Sequence, residues 1–502
     1  MSGTGSVPTV DLLLVFPNNR HRAYGPLAKF AAAVSVPVQL GLTAAYCRDA
    51  GVRVAVIDAD AEDLDARETA ERVARLRPSL ALVSTDSLNS GDVTKMGAAS
   101  ETLRAIRELA PGIPTAVEGV VPSAYAERML REEGADYCVV GEPFESVVEL
   151  VRAVGARGGL ARPADPIRGV SFLDGDEIVD GGRRPLVAEP DSLPFVAWDL
   201  LPMKRYRAHH WHCFDRLDQR GDYASIYTNL GCPYPCTFCN VNVVYGGPNF
   251  RPRSADDVLE EIDLLVGRYG IRNLRIVDNV FTIRPELCEE LCDKLIARGY
   301  DLNMWVYARV ETIKTPVLLE KMKRAGINWI AYGIEAGNAE VRREVAKGSP
   351  QRSIDRAIEL TQRAGIHIVG NFIFGLPEDT LETMRQTFDM AVQYNFEYAN
   401  FYAAMAYPGT ALHEQARREG ASLPDSWSGY GQYSPDAQPL GTRHLSPADV
   451  VRFRDEAFVE YNSSPRYQRM LGEKFGEDAV AWVRELLKVR LPRNLLGTTG
   501  VA

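Results

Sequence analysis

The chain has 502 residues, of which 46% are hydrophobic, 25% charged and 9% aromatic, and its formal net charge is -10. These are ordinary globular proportions, which exclude a disordered or fibrous chain and, at about 150 residues per domain, predict roughly two to four domains. The acidic balance lacks the basic field that nucleic-acid binding requires, and no apolar run reaches the ~18 residues of a membrane span, so neither nucleic acid nor membrane is an expected partner.

The opening stretch "MSGTGSVPTVDLLLVFP" has no basic leader segment, and "LLLVF" is too short for a signal-peptide core. The expected location is cytoplasmic, where thiols stay reduced and clustered cysteines read as metal or redox ligands. From residue 9 to 155, short β-branched runs ("TVDLLLVF", "VRVAVIDAD", "LALVSTDS", "IPTAVEGVV", "DYCVVG") alternate with helical patterns such as "LGLTAAYCRDA". Strand and helix in turn predict a doubly wound parallel sheet over 1–155, with ligand space at the strands' carboxyl ends. "FPNNRHRAYG" follows the first strand where a dinucleotide fold would carry GxGxxG, so a dinucleotide is not the expected ligand.

Residues 156–222 hold Gly and Pro clusters and a predicted hairpin in "IRGVSFLDGDEIVDGG", the marks of a linker. From 223 the alternation resumes: "YASIYT", "LRIVD", "NMWVYAR", "WIAYGIE", "HIVGNFIFG" and "YANFYAAM" read as strands, with helices near 255–268, 284–298, 315–325, 352–364 and 379–394. Repeated βα units over 223–410 predict a (β/α)6 partial TIM barrel, whose chemistry gathers at the strands' C-terminal ends. Residues 411–502 read as a helical cap interrupted by the polar insert "SWSGYGQYSPDAQPLGTRHLS".

The loop after the first barrel strand, "NLGCPYPCTFCN", holds Cys232, Cys236 and Cys239, three of only eight cysteines. Three thiolates in one short loop can hold three irons of a cubane cluster and leave the fourth iron open to a chelating ligand, such as an amino acid bound through amine and carboxylate. The alternative is a zinc site completed by Cys213 or by His209, His210 or His212 of "HHWHC". Cys288 and Cys292, spaced i, i+4 in "ELCEELCDKL", read as helix packing, and Cys47 and Cys138 fall in core-like runs.

With the aromatic Phe238 before its last cysteine, the CxxxCxΦC pattern resembles the radical S-adenosylmethionine (SAM) superfamily, over roughly residues 223–410. In that superfamily the cluster reduces SAM bound at its open iron, releasing a 5'-deoxyadenosyl radical that abstracts hydrogen. The resemblance implies that Cys232, Cys236 and Cys239 ligate one [4Fe-4S] cluster and that Phe238 lies by the adenine. "VDNVFT" is similar to the family's segment after the second barrel strand and implies Asp278 near SAM; "ARVE" supplies Arg309 and "GIEAG" supplies Glu335. "GNFIFGLPED" resembles the family's Gly and Pro segment beside the adenine and points to Gly375 and Pro377; "YPGT" at 407–410 is similar to its "PYPGT". Charges at strand ends also stabilise barrels, so for Arg309 and Glu335 an internal ion pair stands beside ligand contact. Arg251, Arg253 and Lys347 could meet an anionic substrate, or SAM's ribose in the case of Lys347, with surface charge the other role open to the two arginines.

The front region resembles the cobalamin-binding domain of the B12-dependent radical SAM class, through "VPVQLGLTAAYCRDAGVRVAVIDAD" and "VEGVVPSAYAERMLREEGADYCVVGEPFES". On that resemblance Gly119 and Gly141 let a corrin approach the backbone, Ser84, Thr85 and Ser87 offer hydroxyls to its amides, and Glu142 joins the cobalamin site. The DxHxxG motif that supplies a lower histidine ligand elsewhere is absent. "NRHRAYG" is a loose counterpart, with Asn19 for Asp and one extra residue before Gly25, which leaves His21 as a candidate cobalt ligand or a solvated loop histidine. "VEG" at 117–119 stands where the class has "VGG", placing Glu118 at the site.

Together the two resemblances imply a class B methylase, moving a methyl group from SAM through methylcobalamin to an unactivated carbon or phosphorus of a small molecule. Antibiotic pathways hold such enzymes, phosphinate P-methylases among them. An external one-electron reductant of flavodoxin or ferredoxin type is implied as well. The same cofactors also serve cyclases, ring-contracting enzymes and oxidising enzymes without methyl transfer, and a cobalamin-sensing module would need no iron.

Overall fold

The computed structural model describes residues 10–29, 32–85, 92–155 and 163–497. They form two compact units. One comprises residues up to Asn19 with Pro37–Pro202 and Asn240–Gly247, and the other comprises Arg20–Val36, Met203–Cys239 and the chain from Pro248 onward.

In the first unit, β1 (Leu12–Phe16), β2 (Val54–Asp58), β3 (Leu80–Ser84), β4 (Thr115–Glu118) and β5 (Tyr137–Val139) pair in the parallel order 2-1-3-4-5. β1 and β3 are buried from end to end, as strands covered on both faces must be, and so they read as unbroken apolar runs. The strand order reverses at β1, which puts the ligand crevice of such a sheet beyond its carboxyl ends. The predicted hairpin exists as β6 (Val170–Asp174) and β7 (Glu177–Asp180), but it is no free linker element: β6 adds antiparallel to β5 and extends the sheet to seven strands.

In the second unit, β8 (Tyr223–Ile226) is followed by a short antiparallel ribbon of β9 (Asn229–Leu230) and β10 (Arg251–Pro252) that frames the cysteine loop. Then come β11 (Asn273–Ile276), β12 (Asn303–Ala308), β13 (Ile327–Glu335), β14 (His367–Phe374) and β15 (Tyr398–Ala403). The order 8-11-12-13-14-15 is sequential and all parallel. Sequential right-handed βα crossovers put every helix on one face, so the sheet curls into a partial barrel instead of being wound on both sides. The connecting helices run Ala255–Tyr269, Pro285–Arg298, Pro316–Arg324, Gln351–Arg363 and Leu381–Tyr394. Their ends follow from local signals: Pro285 opens its helix at the first position, and Gly299, at φ 67°, closes it.

The C-terminal segment divides its work between the two ends of this barrel. Phe475 stacks on Trp329 at 5.7 Å and Trp482 packs against Phe214 at 5.5 Å, so the terminal helices close the end where β13 begins. The polar insert lies at the opposite end, where Gln432 exchanges hydrogen bonds of 2.9 Å with the backbone of Ala403 in both directions. Among the described residues no helix is long and apolar enough to cross a membrane.

Candidate functional site

The loop from β9 to β10 carries Cys232, buried, and Cys236 and Cys239, half-buried. It is tied down on both sides: the Asn249 amide donates to the Cys232 carbonyl at 3.1 Å, and the Thr237 amide donates to Val345 at 3.2 Å. Phe238 wedges between two apolar clusters, Ala336, Val341, Val345, Leu376 and Ala404 on one hand and Leu412, Ala416 and Leu440 on the other, anchoring the last cysteine to the barrel rim.

Asp278 is buried just past β11 and receives the Thr228 amide at 2.7 Å, the Asn229 amide at 3.2 Å, the Asn229 side chain at 2.6 Å and the Thr228 hydroxyl. Burial lifts its carboxyl to about 6 against the pull of these donors. Its contacts therefore fix the segment that enters the cysteine loop.

Arg309, at the end of β12, donates from Nη1 to Cys236 Sγ at 3.3 Å and from Nη2 to Glu311 at 3.0 Å, with its guanidinium 4.0 Å from the Tyr234 ring centre. Glu335 does not pair with Arg309. It ends β13 at φ 68°, a left-handed conformation that costs a non-glycine residue, and its Oε1 accepts from Lys347 Nζ at 2.9 Å. Both members of that pair are buried. A Cβ at Gly333 would meet the Glu335 carboxylate and the Lys347 ammonium, so a larger residue there would push this pair aside. Gly375 takes φ 82°, and its amide and that of Leu376 donate to Asp379 at 3.0 Å each, while Pro377 accepts from the Arg443 amide at 3.0 Å.

Arg253 is neither solvated nor open to an anion: it is buried against Glu261 at 2.7 Å and Asp257 at 2.5 Å. Arg251 is half-buried and donates to Asn249 at 3.1 Å. The residues offered for zinc are engaged in packing. His212 is buried on the Asn303 carbonyl at 3.0 Å, His210 stacks on Trp482, His209 stacks on Trp211, and Cys213 donates to Asn273 at 3.5 Å. Cys288, Cys292, Cys47 and Cys138 are all buried, and burial pushes each thiol up.

In the first unit the residues assigned from the sequence lie at the carboxyl ends of β3, β4 and β5. Ser84 donates to the buried Glu118 carboxylate, and Thr85 to the Glu118 carbonyl at 2.9 Å. Gly119 and Gly141 take φ 131° and 87°, backbone that only glycine enters without strain. Glu142 is buried and accepts from the Val187 amide at 2.8 Å, a structural tie to the chain beyond the hairpin. His21 lies exposed on the short helix Arg20–Tyr24, which groups with the second unit and not with the front sheet. Ser87 lies outside the described residues.

Sequence reasoning missed three participants. Asp379 had a signal, since "GLPED" places an acid four residues after a turn glycine. Glu311, which takes hydrogen bonds from Arg309 and Ser349, is the last residue of "ARVE", whereas Arg342, which donates to the Ala336 and Gly337 carbonyls at 2.5 and 2.8 Å, had no signal.

The donor set fits a cubane with one open corner. Its three thiols are carried on one loop tied to the barrel rim, Cys232 buried and Cys236 and Cys239 half-buried. A buried guanidinium and a buried ammonium stand beside them to offset an anionic cluster.

Residues 226–391 match the Radical SAM superfamily, and residues 31–151 match the B12 binding domain. The chain thus carries a B12-binding domain followed by a radical SAM domain, the make-up of a cobalamin-dependent radical SAM enzyme, and these domains imply a [4Fe-4S] cluster, SAM and cobalamin as cofactors. It is 26% identical over 459 residues to an uncharacterized methyltransferase of Pyrococcus horikoshii, covering 91% of this chain and 93% of that one. It is 29% identical over 367 residues to the anaerobic magnesium-protoporphyrin IX monomethyl ester cyclase of Cereibacter sphaeroides, covering 72% and 57%. The fold matches that of the radical S-adenosylmethionine methyltransferase TsrM from Kitasatospora setae, solved with cobalamin and a [4Fe-4S] cluster bound, at a TM-score of 0.67 and 19% identity over 95% and 99% of the two chains.

Proposed function

We propose that the enzyme is a methyltransferase, placing a methyl group from SAM on an unactivated carbon or phosphorus of a small molecule. Bound together, the cluster, SAM and cobalamin supply a methyl donor, a methyl carrier and a one-electron route to a substrate radical. The observation that carries this reading is the cysteine loop with its buried cations, Arg309 and Lys347, on a chain that aligns almost end to end with a methyltransferase.

In this reading Cys232, Cys236 and Cys239 hold the cluster, and Arg309 supports the charge on Cys236. Glu335 and Lys347, already paired and already strained into position, give a zwitterionic ligand such as SAM both signs of charge without reorganisation. Asp278 and Asp379 hold the two loops at the rim. In the front domain, Gly119 and Gly141 put no side chain of their own between the strand ends and a large ligand. A flavodoxin or ferredoxin type protein delivers the electron.

The cyclase relative favours a second reading, cyclisation without methyl transfer. Anaerobically reconstituted enzyme given methyl-labelled SAM, a reductant and an extract of the source cell separates the two. Methyl transfer yields a labelled small molecule with S-adenosylhomocysteine and 5'-deoxyadenosine; cyclisation leaves the product unlabelled. Reconstituted protein that holds zinc in place of iron, or takes up no corrinoid, overturns both.

A further inference from the structure

Arg275 sits in the middle of the barrel wall, on β11, in register with Ser225 of β8 and Trp305 of β12. It is only 5% exposed. A buried guanidinium normally recruits acceptors for its five donors. Among the described residues six arginines are buried, and five of them do so: Arg253 has Glu261, Arg309 has Glu311, Arg454 and Arg493 share Asp455, and Arg342 binds backbone carbonyls. Arg275 has no acceptor and no carboxylate partner among the described residues, and its Nε and Nη2 are sealed from solvent without a hydrogen bond.

What it has instead is aromatic. The guanidinium lies 4.8 Å from the ring centre of Trp305 and 5.8 Å from that of Tyr307. Trp305 and Tyr307 are two residues apart on β12 and so share a face of the sheet. Because all the crossover helices occupy the other face of a sequential parallel sheet, this is the inner face of the barrel. Cation-π contacts engage the flat faces of a guanidinium and leave the donors on its edges without an acceptor. A third buried donor beside it, the indole Nε1 of Trp305, is also without an acceptor.

Nε and Nη2 form one edge of the guanidinium, the two parallel donors that match a carboxylate or phosphonate in a bidentate pair. Neighbouring polar groups are bonded among themselves: Asn400 donates to Asn371 at 2.9 Å, Asn371 to the Tyr332 carbonyl at 3.1 Å, and Ser225, across from Arg275, to the Tyr223 hydroxyl at 3.2 Å. Resting on the reading of the barrel as the reaction chamber, we propose that Arg275 binds an oxyanion of the substrate, a carboxylate or a phosphonate, through its Nε and Nη2 edge. The substrate class is then a small anionic molecule, held by its charged end in the barrel wall.

The test uses the full chain, anaerobically reconstituted with iron, sulfide and cobalamin, and four probes: benzoate, phenylphosphonate, inorganic phosphate and the neutral benzamide. Binding is followed by ligand-observed NMR in wild type, R275K and R275Q. The expected result is that benzoate or phenylphosphonate binds wild type at least tenfold more tightly than R275Q, with R275K between them and benzamide indifferent to the substitution. Which of the two binds tells carboxylate from phosphonate, and inorganic phosphate alone would mark a free-phosphate site. Equal oxyanion binding by wild type and R275Q, or none by wild type, overturns the proposal.

R275M supplies a readout of the fold. An arginine kept for recognition is an uncompensated buried charge, so its removal should leave the melting temperature unchanged or raise it; a fall of several degrees would mark a packing role and count against the proposal. SAM cleavage by the wild-type samples is measured in parallel. Wild type that cleaves SAM but ignores the oxyanions sinks this inference alone, whereas Arg275-dependent oxyanion binding without SAM cleavage sinks the functional reading and leaves the anion site standing.

Discussion

Arg309 Nη1 donates to Cys236 Sγ across 3.3 Å, joining the end of β12 to the middle of the cysteine loop. A hydrogen bond and a positive charge on a ligand sulfur favour the more electron-rich state of a cluster, so they raise its reduction potential. The variant R309M should hold a cluster whose potential is lower than wild type, with R309K between the two. An EPR-monitored redox titration of reconstituted protein measures this. A potential that is unchanged or higher in R309M would mean that the contact does not tune the cluster.

The Glu335–Lys347 pair gives a second expectation. Both side chains are buried, and removing one partner strands the other charge, at a cost of about 3–5 kcal/mol. K347M should therefore lower the urea midpoint strongly, and K347M/E335Q should recover much of the loss because no uncompensated charge remains. A double variant as unstable as K347M would show that the pair's charges are not what sustains this end of β13.

Much of this architecture is legible in the chain because its signals are local. The strands of the second unit are bounded by glycine, proline and capping residues, and the helix Ala255–Tyr269 starts at the capping Ser254 and stops at Gly270, φ 68°. The helix Ala339–Glu344 is not legible, since six residues do not complete two turns of apolar periodicity. Partners set by long-range folding are equally silent. Arg253 reads as an anion-binding or solvated arginine until Glu261 turns inward to meet it, and the predicted hairpin reads as linker until β5 supplies a ladder for β6. At the site the cysteine spacing and the glycines are local, whereas the separation of Arg309 from Glu335 into two different ion pairs depends on which partners Glu311 and Lys347 meet in the folded chain.

His212 carries a pH dependence whose sign is fixed by its burial. Burial drives the imidazole's pKa down to about 3 from an ordinary 6.5, against the opposing effect of its hydrogen bond with the Asn303 carbonyl. A folded value below the unfolded one means stability present above pH 6.5 and lost as the pH falls toward 3, because the unfolded chain takes up the proton first. Between pH 7 and pH 5 the loss from this one group is about 2 kcal/mol. Asp278 and Asp379, each lifted to about 6 by burial, work in the opposite sense between about pH 4 and 6, and the half-buried His210, lowered to about 3, works in the same sense as His212, so raw stability curves mix several groups. The difference between wild type and H212Q isolates the histidine: urea midpoints should draw together as the pH drops from 7 to 5. Midpoints that keep a constant separation would show that His212 titrates normally.

Gly231 is the tightest backbone constraint on the cysteine loop. It precedes Cys232 at φ 85°, in the region that disfavours every side chain, and the space a Cβ would need is filled by the carboxamide of Asn249. G231A therefore meets two separate costs, a strained dihedral of about 1–3 kcal/mol and a collision. Asn249 cannot yield freely, because its amide donates to the Cys232 carbonyl at 3.1 Å and its side chain accepts from Arg251 at 3.1 Å. The loop is what gives way, and with it the position of Cys232. Reconstituted G231A should bind less iron and sulfide per chain than wild type. G231A/N249A should recover part of that loss, since the collision is removed and the dihedral cost remains. Full iron loading in G231A would mean that Cys232 can be held from a different backbone path and that the cysteine loop is not a rigid cradle.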